Sequence, residues 1–270
     1  KNAVSVTKKY VVSAKNDVAL QVNRELEKVI IIAGETSNVE VSIRNNTIVE
    51  SNDVRIIEQL PQDGINGSVV GASYNITMGE IASGHKVYMS TKTLEELIEL
   101  GELQYNQDIY VDSTNANFSN TAIWQPVTSN QDITGAKILV DCIDKLDSME
   151  QQSLKYQIST TSDNAGDIYR YQAYASKTAD SGLVATKTSI NEQYVIDNAI
   201  SGIMWEDENK DGLLDSNEKR ISNITVVLVN ADTNEEITTT TNSDGSYKFS
   251  GVKEGTYYVK VPTIHIGYTV

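Results

Sequence analysis

The sequence predicts an all-β protein made of β-sandwiches in tandem, the first elaborated with a short helix. Three observations carry this. Thr, Ser, Asn and Val crowd the chain and Tyr alone numbers 14, a composition that favours extended strands. Apolar residues alternate with period two or gather in short runs between turn residues, and only one segment has helical spacing. The 270 residues reach the size at which single cores stop growing, roughly 250 to 300 residues, so two units are expected.

Taken in chain order, Asn38–Arg44 alternates polar and apolar residues, as a strand with one buried face does. Thr93–Gly101 breaks the pattern: Leu94, Leu97 and Ile98 share a helical face, Thr93 is the N-cap and Gly101 the terminator. Its acids Glu95, Glu96 and Glu99 read as a solvated helix face. Ile138–Ile143 is a nearly continuous apolar run in which Cys142 reads as a small buried residue. The texture changes at Asp197-Asn198, which places one domain over 1–198 and a second over 199–270, joined by a short, stiff junction. In the second, Ile200–Trp205 has strand character and Thr225–Asn230 is a dense apolar strand. Asn242-Ser243-Asp244-Gly245 reads as a turn. Tyr247–Phe249 and Thr256–Val261, either side of Lys253-Glu254-Gly255, are expected to form a hairpin.

Charge and composition exclude several function classes. Lys plus Arg number 22 against 37 for Asp plus Glu, a net charge of −15 that repels nucleic acid and anionic membranes alike. No apolar run approaches the roughly 18 residues of a membrane helix, so no membrane insertion is expected. One cysteine builds neither a disulfide framework nor a thiolate zinc cluster. His85 and His265, the two histidines, accompany no nucleophile elbow, metalloprotease helix or phosphate-binding loop. Both read as surface or packed structural residues, and the chain is expected not to be an enzyme. Trp124 and Trp205 offer stacking faces for sugars, though Trp205 adjoins a strand and reads as core. Lys1 in place of Met and the lack of a secretion signal read as an excised fragment.

The sharpest chemical signal is Asp207-Glu208-Asn209-Lys210-Asp211-Gly212-Leu213-Leu214-Asp215-Ser216-Asn217-Glu218, which fits the twelve-position calcium-loop pattern. Alternate positions turn the Asp207, Asn209 and Asp211 side chains inward, Gly212 permits the bend, and Leu213 offers its carbonyl. Asp215 adds a direct or water-mediated oxygen, and Glu218 a bidentate carboxylate. Without a cation these acids repel one another at short range. Calcium is therefore the expected cofactor, with magnesium less suited because it demands rigid octahedral geometry. The flanks read as β, not helical, so the metal role expected is structural.

The order Ser201–Trp205, the loop Asp207–Glu218, Ile224–Val229, Thr240–Phe249 and Gly255–Val259 resembles the SdrD-type B domain of wall-anchored surface adhesins of Gram-positive bacteria. The resemblance implies an immunoglobulin-like β-sandwich stiffened by calcium and held by Asp207, Asn209, Asp211, Asp215 and Glu218, with Asp244 a weaker candidate. That family runs on past the Gly-Tyr that here is Gly267-Tyr268, so the module is expected to be cut short. Related B modules carry Lys–Asn isopeptide bonds, and this one lacks lysine in Ile224–Asn230 and an acid in Thr256–Val261.

Residues 1–198 resemble, more loosely, the immunoglobulin-like repeats of bacterial surface proteins through Ala33–Thr36, Val39–Arg44, Ile56–Pro61, Val87–Thr91, Trp124 and Ala165–Tyr169. Tyr171 stands where those repeats often have Asn, so no isopeptide from Lys8 or Lys9 is expected. Gly79–Asp132 reads as an insertion on the sandwich. The resemblances imply a non-enzymatic segment of an extracellular, cell-wall-anchored adhesin, whose anchor lies outside this fragment. A binding or spacer domain would meet a host or cell-surface macromolecule and the neighbouring domains of its own chain. A pilin-type assembly subunit and the accessory region of a glycan-acting enzyme stay open beside it.

Overall fold

The computed structural model describes residues 19–105, 111–113, 115–179 and 182–262. The strands in order are β1 (Leu20–Leu26), β2 (Ile30–Ile32), β3 (Thr36–Asn45), β4 (Ser51–Gln59), β5 (Asn75–Met78) and β6 (His85–Ser90). The helix α1 (Leu94–Glu99) follows, then β7 (Gln104–Tyr105), β8 (Val111–Asp112), β9 (Gln125–Val127), β10 (Asp132–Ile133), β11 (Ile138–Leu146) and β12 (Gln151–Ser159). β13 (Ile168–Ala179), β14 (Gly182–Lys187) and β15 (Asn191–Ile196) complete the first unit. β16 (Ile200–Ile203), β17 (Thr225–Asn230), β18 (Glu236–Thr240), β19 (Ser246–Phe249) and β20 (Tyr257–Lys260) form the second.

The first unit is a two-layer sandwich. One sheet has the order β1-β3-β12-β5-β10, and the other runs β2-β15-β13-β4-β11-β6-β9 with β14 paired to β13. Alternation decides which side chains meet: on β1 the buried positions are Leu20, Val22 and Arg24, with exposed residues between them. Val41, Ile43, Ile56, Ile76, Leu139, Tyr156, Ile158 and Tyr169 fill the space between the sheets. The eight-stranded sheet is also covered on its outer face, where Ile57, Ile138, Val140 and Cys142 pack against Leu94, Leu97, Leu103, Val111 and Trp124. Strands buried on both faces read as continuous apolar runs, which accounts for Ile138–Ile143.

Helix α1 forms as its spacing predicts. Thr93 and Glu96 close a reciprocal capping box, Leu94 and Leu97 are buried, and Gly101 takes φ 75° just beyond the end. The stretch Gly79–Asp132 is less detachable than an insertion, because β6 lies inside it and pairs with β11 between Ile138 and Ile143. It supplies both a strand of the sandwich and the lid over its outer face.

The chain runs lengthwise through this unit. Leu20 pairs with Asn45 at one end of β3, and the Asn46 amide donates to the Ala19 carbonyl. The chain leaves at Ile196, whose carbonyl accepts from Ala33 beside the other end of β3. Ten residues of strand, about 30 Å, separate the two points. At the exit the second unit is tied on directly. Asp197 pairs with Lys248, Asn198 Nδ2 donates to the Val252 carbonyl at 2.7 Å, and the Val252 amide donates back to Asn198 at 2.8 Å. Gly251 has φ 65°, and a Cβ there would lie 2.9 Å from the Ala33 carbonyl oxygen. Gly251→Val is expected to loosen this junction at a cost of about 1–3 kcal/mol, measured as faster proteolysis at 197–198 than in the parent chain.

In the second unit β16 pairs with β19, while β17 sits between β18 and β20. The expected hairpin of Tyr247–Phe249 with Thr256–Val261 is therefore corrected: β19 and β20 belong to different sheets. Phe249 and Val252 both enter the core with Val226 and Leu228. Burying both pulls the connection across the sandwich instead of back along β19.

Candidate metal centre

The loop Asp207–Glu218 hangs from a β stem. Trp205 and Arg220 form an antiparallel bridge, the Glu206 amide donates to the Lys219 carbonyl at 2.9 Å, and the Ile221 amide donates to Met204 at 2.9 Å. Strands, not helices, precede and follow it, as the sequence predicts. Lys210 (φ 62°) and Gly212 (φ 75°) make the two left-handed bends.

Inside the loop the carboxylates organise the backbone. Asp207 accepts from the amides of Asp211 at 3.2 Å and Gly212 at 2.9 Å, and Glu218 from those of Glu208 at 3.1 Å and Asp215 at 3.0 Å. Glu218, the last position, is buried, while Asp211 and Asp215 are exposed. Asn209 Nδ2 donates to Asp211 Oδ2 and to Asp215 Oδ2, each at 3.0 Å, so the side chains of loop positions 3, 5 and 9 meet at one point. Among the described residues no three His, Cys, Asp or Glu side chains converge on a common metal position. The amide of Asn209 lies between its two acidic neighbours, with its Oδ1 accepting from the Asp211 backbone amide at 3.0 Å. The donor set is all oxygen and the loop already bends around it, which fits a hard cation. Leu213 follows the bend with its amide bound to Asp211 Oδ1 at 2.7 Å. Asp244 stands apart: its carboxylate accepts from the Ser246 amide and hydroxyl, which hold it below the usual carboxylate range, and it serves the turn.

Residues 198–270 match the SdrD B-like domain family. The second unit is an SdrD B-like domain. The chain is 46% identical over 70 residues to serine-aspartate repeat-containing protein F of Staphylococcus epidermidis, covering 26% of this chain and 4% of that protein. Serine-aspartate repeat-containing protein C of Staphylococcus aureus is 33% identical over 122 residues, 44% of this chain and 13% of that protein. The chain thus spans a small fraction of these relatives. Over 90% of its length it also superposes on 59% of BcpA, the major pilin subunit of Bacillus cereus, with a TM-score of 0.50 and 11% identity. That likeness is one of fold, the immunoglobulin-like sandwich in tandem that the sequence predicts.

Outside the B-like domain, the other residues singled out by sequence fall in structural places. Trp124 is fully buried and its Nε1 donates to Glu102 Oε2 at 2.9 Å, which corrects the sugar-stacking reading. Trp205 is half-buried in the stem of the loop. Cys142 is buried, and burial pushes its thiol up to about 11, far from a reactive thiolate. His265, Lys8 and Lys9 lie outside the described residues.

Two buried polar clusters escaped sequence reasoning. In the first, Arg24 of β1 forms an ion pair with Glu58 of β4, both side chains fully enclosed. Tyr156 donates to Glu58 at 2.7 Å, Arg24 Nη1 to Asn191 at 3.3 Å, and the guanidinium lies 5.3 Å from the Tyr171 ring centroid. Burial pushes the Glu58 carboxyl up, while Arg24 and Tyr156 pull it back. In the second, His85 of β6 lies between Asp141 of β11 and Gln152 of β12, each at 2.8 Å. The signal was present in the alternation. Arg24 shares a face with Leu20 and Val22, Glu58 with Ile56 and Leu60, and Asp141 with Leu139 and Ile143, so each charge points inward. Both clusters tie one sheet to the other.

Proposed function

We propose that this chain is a non-enzymatic segment of an extracellular, cell-wall-anchored surface adhesin, in which a β-sandwich over 1–198 binds or spaces and a calcium-stiffened B-like domain over 199–270 holds it. The loop carries this reading: its side chains Asp207, Asn209, Asp211, Asp215 and Glu218, with the Leu213 carbonyl, offer oxygens alone, already wrapped about one bend. A bound Ca²⁺ would neutralise the mutual repulsion of four acids and pin the β stem. The lengthwise path of the chain and its tied junction suit a unit that projects something outward, and they serve the shaft of an assembled surface fibre equally.

Calcium that binds only the folded domain adds about 2.7 kcal/mol at a hundredfold excess over Kd. The whole chain is therefore expected to melt higher in millimolar calcium than in EDTA, and a D207A/D211A variant to lose that rise. Equal melting temperatures in both conditions would sink the structural-metal reading. A binding screen of the whole chain against host-surface macromolecules then separates a binding domain from a pure spacer.

A further inference from the structure

His85 occupies the space between the two sheets, three-hundredths exposed at the side chain, with its partner Asp141 fully enclosed. Each ring nitrogen faces an oxygen. Nδ1 lies 2.8 Å from Asp141 Oδ2, and Nε2 lies 2.8 Å from Gln152 Oε1. The orientation of the Gln152 amide is fixed from its far side, because its Nε2 donates to Glu150 Oε1 at 2.8 Å. Glu150 is itself held by the Asp147 amide, which donates to Oε2 at 2.6 Å. Turning the Gln152 amide over would set its oxygen against the Glu150 carboxylate. Gln152 therefore presents an acceptor to the ring, and Nε2 must carry a hydrogen.

A neutral imidazole has one N–H, and Nε2 uses it. The 2.8 Å contact between Nδ1 and the Asp141 carboxylate then has a lone pair on each side unless a second proton sits between them. Wherever that proton rests, the pair holds one more than a neutral imidazole and a carboxylate hold together, and it titrates as a pair. The surrounding charges favour keeping it. Asp144 from β11 adds negative potential at the ring, and Arg55 from β4 stabilises the Asp141 carboxylate. Lys86, next to the ring on β6, is spent on Asp144 at 3.4 Å, and Glu150 on Gln152 and Asp147. Asp141 Oδ1 has no hydrogen-bond partner, so the contact to His85 is the bond that compensates burying this acid.

We propose that His85 and Asp141 form a proton-holding clamp between the sheets, one that keeps its proton above the pH at which a free histidine releases it and loosens the sandwich when the proton leaves. Asp141 and His85 belong to the eight-stranded sheet and Gln152 to the five-stranded one, so the bond to Gln152 is the one that joins the two layers, and a ring that has lost a proton can donate to Asp141 or to Gln152 but not to both. The hydrogen bond to Asp141 is the main cause that raises the histidine, against an opposing effect of burial. The sign follows from linkage. Between a histidine's ordinary value of 6.5 and the higher folded value, the native state binds more protons than the unfolded chain, so stability falls as pH rises. Below 6.5 both states hold the proton and the contribution is fully present.

The test uses the whole chain with His265→Gln, which leaves His85 as its one histidine, since the chain has two. Ring-nitrogen NMR across pH 5 to 9 is expected to show a single titration with its midpoint above 6.5. The melting temperature is expected to fall through the same range, and the fall to flatten in a His85→Gln chain. A midpoint below 6.5, or an identical pH slope of melting with and without His85, overturns the clamp. Should His85→Gln fail to fold, the midpoint in the His265→Gln chain decides alone.

Discussion

Replacing Arg24 by methionine is expected to cost the first unit about 3–5 kcal/mol, because it strands a fully buried carboxylate. Glu58 would keep the Tyr156 hydroxyl at 2.7 Å and lose its counter-charge. Burial already pushes this carboxyl up, and without the guanidinium it must take a proton to remain inside. The R24M chain should therefore become steadily less stable as pH rises from the ordinary glutamate value of 4.5 toward neutrality, the sign for a carboxyl whose folded pKa is raised. The double variant R24M/E58L removes the stranded charge as well, and well-packed apolar replacements of buried ion pairs are often neutral or stabilising. Urea unfolding at pH 5 and pH 7.5 checks all of this. A double variant as unstable as R24M would mean that the cluster acts through packing of the Arg24 stem over Tyr171, not through charge. Arginine suits the place because its guanidinium stays protonated and spreads its donors over Glu58 and Asn191. A residue that never surrenders its proton supplies no nucleophilic amine, so this inter-sheet tie is ionic.

Much of this architecture was legible because it is written in local periods. The alternation of Asn38–Arg44 became the middle of β3, and Thr225–Asn230 became β17 to the residue. The capped turn at Thr93 was equally local. What failed was non-local. Nothing in Lys253-Glu254-Gly255 says that Phe249 and Val252 will both be drawn into the core, and a seven-residue connection crossing between sheets looks, in sequence, like a generous hairpin loop. The covering of both faces of β11 is similar. Its apolar run announces double burial without saying that α1 and Trp124 supply the second cover. The loop Asp207–Glu218 was legible as chemistry because calcium ligands recur at fixed spacing. The clamp at His85 joins residues 56 and 67 positions apart, a distance over which spacing carries no signal.

The second cover gives the other large expected effect. Trp124→Ala should destabilise the outer layer by about 3–5 kcal/mol, the range for emptying a packed aromatic site. The indole is fully buried. Phe118 tilts against it with centroids 5.2 Å apart, and Tyr88 stacks on Phe118 at 4.4 Å, so one deletion unseats a chain of three rings. It also removes the donor to Glu102, a buried acid left with the Asn117 amide at 2.6 Å. Trp124→Phe separates the two costs: it keeps most of the ring volume and gives up the hydrogen bond, about 1–3 kcal/mol for the unmet buried acceptor. The loss is expected to stay on one side of the sheet. Leu94, Leu97 and Leu103 pack on the outer face of β4 and β11, while Ile56, Leu139 and Ile143 pack on the inner face against the five-stranded sheet. Hydrogen exchange should show α1 and the segment before β9 losing protection in Trp124→Ala while β3 and β12 retain theirs. Equal loss throughout would mean that the lid and the sandwich form one cooperative unit, with β6, which runs through both, as the coupling strand.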